Sequence, residues 1–444
     1  MRLTVIGTGY LGAVHAACMA EIGHDVLGVD VDTAKIEALA AGRTPFHEPG
    51  LDEILARNVE AGRLRFSTSL TEAAEFGDVH FICVGTPQKP GSNAADMRYI
   101  DAVVDGLAPH LHRDTLVVGK STVPVGTAAY VTERIQTLAP VGQAATLAWN
   151  PEFLREGFAV QDTLHPDRLV VGVTSPADET LLRAVYAPVL DSDGTPWIST
   201  DLATAELVKV SANAFLATKI SFINAIADVC DAAGGDVTTV AKAIGYDARI
   251  GPRFLSAGLG FGGGCLPKDI RAFFARAQEL GVADSLGFLK EVDEINMRRR
   301  LRTVDLAREL VGGSFLGCNI AVLGAAFKPD SDDVRDSPAL NVAAAIQLQG
   351  GRVRVHDPAA IDNARAVFPT LDYALDIDKA CEQADLILHL TEWQEYRDLD
   401  PEALAATVRS PRILDGRNAL PVERWQAAGW TVRALGRTFA GTTV

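Results

Sequence analysis

The stretch RLTVIGTGYLG, residues 2–12, combines a short apolar run with a glycine-rich turn. Leu3–Ile6 has the character of a strand that is buried on both faces, as strands of a parallel sheet are. Gly7, Gly9 and Gly12 have the G-x-G-x-x-G spacing, which permits a tight turn and lets backbone amides approach a pyrophosphate at a helix N-terminus. The stretch therefore predicts the first strand, turn and helix of a doubly wound α/β sheet.

Further apolar runs of strand length alternate with helical patterns over the first 200 residues. They are Val26–Val29, Val79–Val84, Leu116–Val118 and Leu147–Trp149. The second run is followed by Asp30, 18 residues after Gly12, where a carboxylate can accept the ribose hydroxyls of a dinucleotide. An acid there would repel a 2′-phosphate, so the pattern favours NAD over NADP. A Rossmann methyltransferase could place an acid at the same position, and this region alone leaves that alternative open.

The last 130 residues weakly repeat the scheme of the first. Residues 319–324, 351–357 and 384–390 echo residues 2–7, 24–30 and 77–83 in the same order. Coincidence among apolar strands is the alternative. We interpret the echo as a fold of class α/β with two Rossmann-like doubly wound lobes joined by a long central helix.

Between the lobes, 201–233 has a helical pattern without proline or glycine until Gly234. A helix of this length would span about 45 Å at 1.5 Å per residue, and it could serve as a spine and a dimer surface or be an ordinary core helix. The predicted domains are an NAD-binding Rossmann-like domain at 1–200, a central helical dimerisation and catalytic region at 201–300, and a second Rossmann-like domain at 301–444.

The composition excludes several classes of function. The chain has 444 residues and a net charge of −16, a field that disfavours nucleic acid and anionic membrane surfaces as partners. We see no signal-peptide pattern, no membrane span and no metal-ligand spacing among the six scattered cysteines, so a cytoplasmic protein without a metal site is expected.

The least ordinary segment is GLGFGGGCLPKD, residues 258–269. Its five glycines in seven residues let a bulky ligand lie against bare backbone. Cys265, beside Lys268 at the predicted start of a helix, has two reasons to lose its proton and act as a nucleophile. The other cysteines are interpreted as small buried hydrophobes: Cys18, Cys83, Cys230, Cys318 and Cys381.

Three further groups of polar residues are candidates for ligand binding. Lys209 and Asn213 are four residues apart and share a face of the central helix, although solvent exposure of the lysine is the alternative. The segment NPEFLREG, residues 150–157, ends the first lobe with two acids. Lys328 and Arg335 stand where the second lobe lacks the glycine fingerprint, which points to a diphosphate of a second nucleotide ligand.

Together these segments resemble the UDP-glucose/GDP-mannose 6-dehydrogenase family from Met1 to about Arg335. The motifs that match, in order, are GTGYLG, TPFHEPGL, VGTP, STVPVGT, NPEFLREG, ELVKVSANAFLATKISFINAIAD, RIGPRFLSAGLGFGGGCLPKD and FKPDSDDVRDSPA. Two departures concern fine positioning only: Gly264 stands where serine is common in the family, and Ser331 where threonine is usual.

The resemblance implies an NAD-dependent, four-electron oxidation of UDP-glucose to UDP-glucuronate in a homodimer. By that likeness, Cys265 captures the intermediate aldehyde as a thiohemiacetal that is oxidised to a thioester. Lys209 steadies the oxyanion and Asn213 is its hydrogen-bonding companion. Asp269, Thr122 and Glu156 match the residues for water activation and proton transfer, and which of them is the base stays open.

The resemblance also implies that the domain at 301–444 binds the UDP-sugar, and it assigns ligand contacts. The cofactor contacts are Gly7, Gly9, Tyr10, Leu11, Gly12, Asp30, Lys35, Thr86, Thr122, Glu156, Lys268 and Arg335. The substrate contacts are Glu152, Phe153, Leu154, Arg155, Glu156, Lys209, Asn213, Arg249, Phe254, Leu255, Ser256, Ala257, Gly258, Gly262 and Lys328. Arg249 looks like the arginine that some members donate across a dimer interface.

Two other functions remain open at this point. A GDP-mannose or UDP-N-acetylhexosamine 6-dehydrogenase would carry the same motifs, because sugar and base selection depend on the shape of the pocket. A non-catalytic sugar-nucleotide binding protein would share the lobes, but binding alone has no use for Cys265.

Overall fold

The computed structural model describes residues 1–437. The chain forms two compact units, one of Met1–Ala212 with Ala275–Gly281 and one of Asn213–Phe274 with the chain from Val282 onwards. Residues 438–444 of the predicted third domain lie outside the described residues. The domain boundaries at 200 and 300 stay a prediction.

The first unit contains an eight-stranded sheet with the order β3-β2-β1-β4-β5-β6-β7-β8. Its strands are β1 (Arg2–Ile6), β2 (Asp25–Val29), β3 (Leu64–Ser67), β4 (Val79–Ile82), β5 (Thr115–Gly119), β6 (Ala145–Trp149), β7 (Leu169–Gly172) and β8 (Trp197–Thr200). All neighbours are parallel except β6 and β7, which form a single antiparallel pair at Trp149 and Gly172. The apolar pattern predicted five of these strands and missed β3, β7 and β8, each of which has only four residues.

The second unit contains a six-stranded parallel sheet with the order β11-β10-β9-β12-β13-β14. Its strands are β9 (Asn319–Leu323), β10 (Arg352–His356), β11 (Asp372–Tyr373), β12 (Leu386–His389), β13 (Arg412–Asp415) and β14 (Thr431–Ala434). Counted from its first strand this order is 3-2-1-4-5-6, the doubly wound order of dinucleotide-binding folds, and the first sheet begins in the same way. The three strands echoed in the sequence occupy corresponding places, so the predicted fold class is confirmed.

Helices connect the strands and cover both sheets. They are α1 (Tyr10–Glu21), α2 (Thr33–Ala40), α3 (Leu51–Glu60), α4 (Leu70–Phe76), α5 (Arg98–Leu107), α6 (Thr127–Leu138), α7 (Ala159–Leu164), α8 (Pro176–Asp193), α9 (Leu202–Ala233), α10 (Val237–Gly245), α11 (Leu266–Glu279), α12 (Phe288–Leu310), α13 (Pro338–Leu348), α14 (Ile361–Val367), α15 (Ile377–Cys381), α16 (Gln394–Arg397), α17 (Pro401–Ala405) and α18 (Val422–Ala427). Strands β1 and β9 are almost completely buried in the two cores.

The predicted central helix is a single α-helix of 32 residues, α9. It belongs to the first unit up to Ala212 and to the second from Asn213. Within the described chain, α9 is the one helix whose length and apolar composition match a membrane span, and 44% of the matching window is buried. Core helices of soluble proteins meet the same criterion, so the match is weak evidence for a membrane.

Candidate active site

The predicted site residues are divided between the two units, and each group is described within its own unit. The first unit holds Gly7, Gly9, Tyr10, Leu11, Gly12, Asp30, Lys35, Thr86, Thr122, Glu152–Glu156 and Lys209; the second holds Asn213, Arg249, Phe254–Gly258, Gly262, Cys265, Lys268, Asp269, Lys328 and Arg335. In both sheets the loops at the carboxyl ends of the strands carry many of these residues, as expected for ligand-binding α/β folds.

The glycine turn follows β1 and fits a pyrophosphate. A Cβ atom on Gly12 would lie 1.8 Å from the carbonyl oxygen of Gly7, so only glycine permits this approach of helix and turn. Gly7 has a φ of 90°, which favours glycine. A Cβ on Gly9 would meet nothing within 4 Å. The space at Gly9, beside the N-terminus of α1, is therefore open to a ligand of the dinucleotide type.

Asp30 lies directly after β2 and turns toward the glycine loop. Its Oδ2 accepts hydrogen bonds from the Thr8 amide at 2.8 Å and from Lys35 Nζ at 3.0 Å. Burial by itself would raise the pKa of Asp30, but hydrogen bonds from the amide of Asp32, from Lys35 and from Thr8 outweigh it and lower the pKa. Asp30 is therefore ionised at neutral pH and suited to accept ribose hydroxyls.

The loops after β4 and β5 are tied together, because the Thr86 hydroxyl donates to the Thr122 carbonyl at 2.7 Å. The neighbouring Lys120 is buried, and its ammonium donates to Asn150 Oδ1 at 3.0 Å. Burial lowers the pKa of Lys120 to about 8. The sequence interpretation missed Lys120, although its place directly after an apolar strand was a usable signal.

Lys209 is buried and ion-paired, so its alternative interpretation as a solvent-exposed lysine is wrong. Its Nζ lies 3.1 Å from Glu152 Oε1 and 5.5 Å from the ring centre of Phe153. Glu152 also accepts the Leu154 amide at 2.8 Å. The segment at 150–157 and the start of α9 thus meet at Lys209, whose ammonium pairs with the Glu152 carboxylate and lies beside the aromatic ring of Phe153.

The segment at 150–157 is fixed by a carboxylate that the sequence interpretation left without a role. Glu48 accepts hydrogen bonds from the amides of Gly157 at 2.7 Å and Ala159 at 2.6 Å, and from the Tyr10 hydroxyl. The Tyr10 hydroxyl in turn accepts from the Gly157 amide at 3.0 Å. Burial and the hydrogen bond to Glu48 raise the pKa of Tyr10, so the phenol stays protonated and donates.

Cys265 lies in the second unit, directly before α11, and it is exposed. Its carbonyl accepts the Asp269 amide at 3.0 Å, so it occupies the position that begins the helix. The positive end of a helix stabilises a thiolate. The other cysteines are buried, apart from the half-buried Cys318. The exposed position at a helix start singles out Cys265 as the candidate nucleophile.

Three of the predicted polar residues form a cluster on α9 and α11. Asn213 Nδ2 donates to Asp269 Oδ2 at 2.6 Å, and Lys268 Nζ donates to Asp269 Oδ1 at 2.6 Å. Asn213 and Asp269 are buried. Each oxygen of the Asp269 carboxylate thus has one donor, and the carboxylate is held four residues after the thiol.

The glycine-rich segment before Cys265 is held by buried side chains on α12 and after β13. Asn296 brackets Phe261 with two hydrogen bonds, Arg299 Nε donates to the Gly258 carbonyl at 3.0 Å, and Arg417 donates to the Gly260 carbonyl at 3.0 Å. The sequence interpretation missed them all. Arg417 gave a signal, because it follows an apolar strand, whereas a run such as MRRRLR on α12 is indistinguishable from a solvated helix face.

The departure at Gly264 has a structural reason. A Cβ on Gly264 would lie 2.2 Å from Cζ of Arg335, which is held by a two-pronged ion pair to Asp333. Glycine therefore lets the Arg335 guanidinium lie over the loop. Lys328 lies with its Nζ 5.6 Å from the centre of the Phe327 ring.

The remaining predicted substrate contacts lie in the segment at 249–258. Arg249 pairs with Asp247 and 89% of its side chain is exposed. Phe254 adopts a φ of 65°, unusual for a bulky residue, and is itself exposed. Leu255 and Ala257 are buried, and Ser256 is exposed. Among residues 1–437, no group of three or more His, Cys, Asp or Glu side chains could hold a metal ion.

Three family models match successive parts of the chain. They describe the NAD binding domain of the UDP-glucose/GDP-mannose dehydrogenase family at residues 1–190, its central domain at 203–298 and its UDP binding domain at 321–422. The two nucleotide-binding domains cover most of the two sheets, without β8 and β14, and the NAD-dependent character of the predicted enzyme is confirmed.

Similar proteins cover almost the whole chain. The UDP-glucose 6-dehydrogenase of Rhizobium meliloti (strain 1021) is 43% identical over 98% of this chain and 100% of its own length. The UDP-glucose 6-dehydrogenase TuaD of Bacillus subtilis (strain 168) is 40% identical over 98% and 93%. The structure of a UDP-glucose dehydrogenase from Pyrobaculum islandicum superposes with a TM-score of 0.90, at 38% identity and 98% coverage of both chains. The chain belongs to the UDP-glucose/GDP-mannose dehydrogenase family.

Proposed function

We propose that this chain oxidises the C6 alcohol of UDP-glucose to the carboxylate of UDP-glucuronate, with two NAD+ as acceptors. The observation that carries the proposal is Cys265, exposed at the start of α11, whose buried Asp269 accepts hydrogen bonds from Asn213 and Lys268. A simple alcohol dehydrogenase needs no nucleophile, whereas an enzyme that must hold an aldehyde and oxidise it again does.

The residues of the first unit fit NAD. Open space at Gly9, the close approach at Gly12 and the ionised Asp30 match a pyrophosphate and a ribose. NAD+ would supply the hydride acceptor for each oxidation. Leu11, Lys35, Thr86, Thr122, Glu156, Lys268 and Arg335 are proposed as further contacts of the cofactor. In the second unit, Lys328 and the bare backbone at 258–264 are proposed to receive the UDP-sugar.

The Cys265 thiolate is proposed to hold the intermediate. Its sulfur adds to C6 of the aldehyde and the oxygen takes a proton, which gives a thiohemiacetal. Loss of a hydride and a proton from this adduct leaves a thioester. Water then attacks the thioester carbon, the carbon–sulfur bond breaks, and the acid and the free thiolate remain. The sum consumes one water and two NAD+ and releases two NADH and three protons.

Lys209, Asn213 and Asp269 are proposed to assist these steps. An ammonium that is buried beforehand, as Lys209 is, stabilises an oxyanion without reorganisation. Asn213 supplies a hydrogen bond, and Asp269, Thr122 and Glu156 are the candidates for moving protons and activating water. Glu152, Phe153, Leu154, Arg155, Arg249 and the segment Phe254–Gly258 with Gly262 are proposed to contact the substrate.

A homodimer is proposed as the assembly. Exposed apolar side chains recur on α9 at intervals of seven residues. They are Phe215, Phe222 and Val229, which are 66%, 51% and 59% exposed. An exposed apolar stripe of this kind on a long helix is typical of a protein interface. A cytoplasmic location is proposed as well, in keeping with five cysteines that pack as small apolar groups.

The test is product identification by mass spectrometry after incubation with UDP-glucose and NAD+. We expect UDP-glucuronate and two NADH per UDP-glucose. GDP-mannose and UDP-N-acetylhexosamines are tested in parallel reactions. Turnover of one of these sugars without turnover of UDP-glucose would contradict the proposed substrate but keep the reaction type.

A further inference from the structure

One segment singled out in the sequence, TPFHEPGL at residues 44–51, takes no part in the proposed chemistry. Its Glu48 is 6% exposed and lies in a loop before α3. All the groups around its carboxylate are donors: the amides of Gly157, Ala159 and Val160 at 2.7, 2.6 and 3.4 Å, and the Tyr10 hydroxyl. These donors require a side chain with two hydrogen-bond acceptors. A carboxylate has two acceptor oxygens, whereas the side-chain amide of glutamine has one oxygen and an NH2 donor.

The four donors belong to two different parts of the first unit. Tyr10 is the first residue of α1 and lies inside the glycine turn at 7–12. Gly157 ends the segment at 150–157, which has no helix or strand of its own, and Ala159 and Val160 begin α7 shortly after it. Tyr10 also lies against Phe46 of the same loop, with ring centres 4.8 Å apart. Glu48 therefore ties the dinucleotide turn to the segment that bears Glu152 and Glu156.

We propose that Glu48 is a positioning residue that sets the segment at 150–157 relative to the glycine turn. This rests on the proposed function for the roles of Glu152 and Glu156. An irregular segment depends on such anchors because it has no backbone ladder to fix it. The Glu156 carboxylate lies close enough to the Tyr10 hydroxyl to raise the pKa of the phenol further, so a shift of Glu48 reaches both the cofactor turn and the candidate base.

Two substitutions separate positioning by charge from simple filling of space. Glu48→Gln keeps the shape and reach of the side chain but turns an NH2 group toward donors. Glu48→Asp keeps the carboxylate but is shorter by one methylene and leaves a small void. If Glu48 only fills space, the isosteric glutamine is the milder change; if it positions through its oxygens, aspartate is milder in catalysis.

We expect Glu48→Gln to lower kcat/KM for NAD+ by about tenfold to a hundredfold, because errors of about 1 Å in positioning cost this much. Glu48→Asp should retain more of the kcat/KM than Glu48→Gln does, although its melting temperature should be the same as that of Glu48→Gln or lower. Affinity for UDP, measured by titration calorimetry, should stay unchanged in both variants because UDP is proposed to bind the second unit.

Asp178→Asn is the matched control. Asp178 is a buried carboxylate of the same unit, outside the segment at 150–157, and it accepts the hydroxyls of Thr146 and of Ser175, the N-cap residue of α8, each at 2.8 Å. The Asp178→Asn variant should lose thermal stability without a change in kcat/KM for NAD+. Three outcomes would overturn the inference. Glu48→Gln could keep the wild-type kcat/KM for NAD+, or it could lose less kcat/KM than Glu48→Asp. The third outcome is that Asp178→Asn loses as much kcat/KM as Glu48→Gln.

The same experiment distinguishes failure of this inference from failure of the proposed function. If the wild-type chain makes no UDP-glucuronate, the function is wrong. Fluorescence titration with NADH then still compares Glu48→Gln with wild type, and an unchanged affinity would overturn the tie between Glu48 and the glycine turn.

Discussion

The two sheets begin with the same strand order, and an aspartate follows the second strand of each, Asp30 in the first unit and Asp357 in the second. Both carboxylates accept amides from the turn after the first strand. Their surroundings differ. Asp357 accepts two amides of that turn, the Trp393 indole and two further amides, and is 2% exposed.

Asp30, by contrast, keeps a 10% exposed side chain beside a glycine turn with open space. In the second unit the turn keeps its first glycine, Gly324, but continues with Ala325 and Ala326, and the charged segment 327–336 precedes α13. The two units therefore share a strand order, but the residues of their turns are suited to different ligands. In the proposed site, one acid is available to a nucleotide, whereas the other holds its own turn.

The largest expected effect tests which unit carries the covalent chemistry. Cys265→Ser should lower steady-state formation of UDP-glucuronate by at least about a thousandfold, since a hydroxyl is a far weaker nucleophile at neutral pH. NADH and UDP should still bind, as measured by fluorescence and calorimetry. Unchanged turnover in this variant would contradict the role of Cys265.

The second test replaces a glycine in the turn after β1 with alanine, the residue type found in the turn after β9. Gly9→Ala adds a methyl group that meets no protein atom within 4 Å, and Gly9 has a φ of −66°, which alanine adopts freely. The melting temperature should change little, whereas NADH affinity should fall by about tenfold to a hundredfold because the pyrophosphate must approach this backbone. In Gly12→Ala, whose Cβ meets the Gly7 oxygen, folding itself should suffer. Equal NADH affinity in Gly9→Ala and wild type would contradict the site.

The third test compares buried acids of the two units by pH. Burial raises the pKa of Glu206 to about 7 from 4.5, although the amides of Gly126 and Ala128 favour its charge. The native state thus keeps a proton that the unfolded chain loses between pH 4.5 and 7. The free energy of unfolding should fall by about 2 kcal/mol as pH rises through this window, and Glu206→Gln should remove the slope in urea titrations at several pH values.

Asp415 of the second unit is the contrasting control. Burial opposes its charge, but hydrogen bonds from His389 and from the amides of Leu420 and Arg417 outweigh it and lower the pKa. Its contribution is lost only as pH falls below its ordinary value of 3.8. Asp415→Asn should therefore change stability by a constant amount between pH 5 and 7. A slope that disappears in this variant, and persists in Glu206→Gln, would contradict the assignment.

The smallest expected effect compares the two aspartates themselves. Asp30→Asn should reduce NAD+ affinity by about tenfold, the value of one or two hydrogen bonds to a charged group, and should raise the relative use of NADP+. Asp357→Asn should leave NAD+ affinity alone and lower the melting temperature. An Asp30→Asn enzyme with unchanged cofactor preference would contradict the ribose role.

Much of the fold was predictable because strands buried on both faces are mostly apolar, as β1, β4 and β9 show. The glycine turn, Asp30 and Cys265 were predictable for a different reason: their chemistry is local, and their neighbours in sequence are their neighbours in space. Strands β3 and β8 were missed because polar residues interrupt their apolar pattern, whereas β7 is apolar and buried and was overlooked.

The sequence by itself determined the glycine spacing, the ordered motifs and the thiol beside Lys268 and Asp269, since each is a short continuous stretch of the chain. Only the tertiary structure decided that Lys209 pairs with Glu152, that Arg299 and Arg417 hold the carbonyls of the glycine-rich segment, and that Glu48 accepts from Tyr10 and Gly157. These partners are tens to more than a hundred residues apart. Charge and hydrogen-bonding capacity are properties of a residue, but which partner satisfies them depends on how the chain is folded.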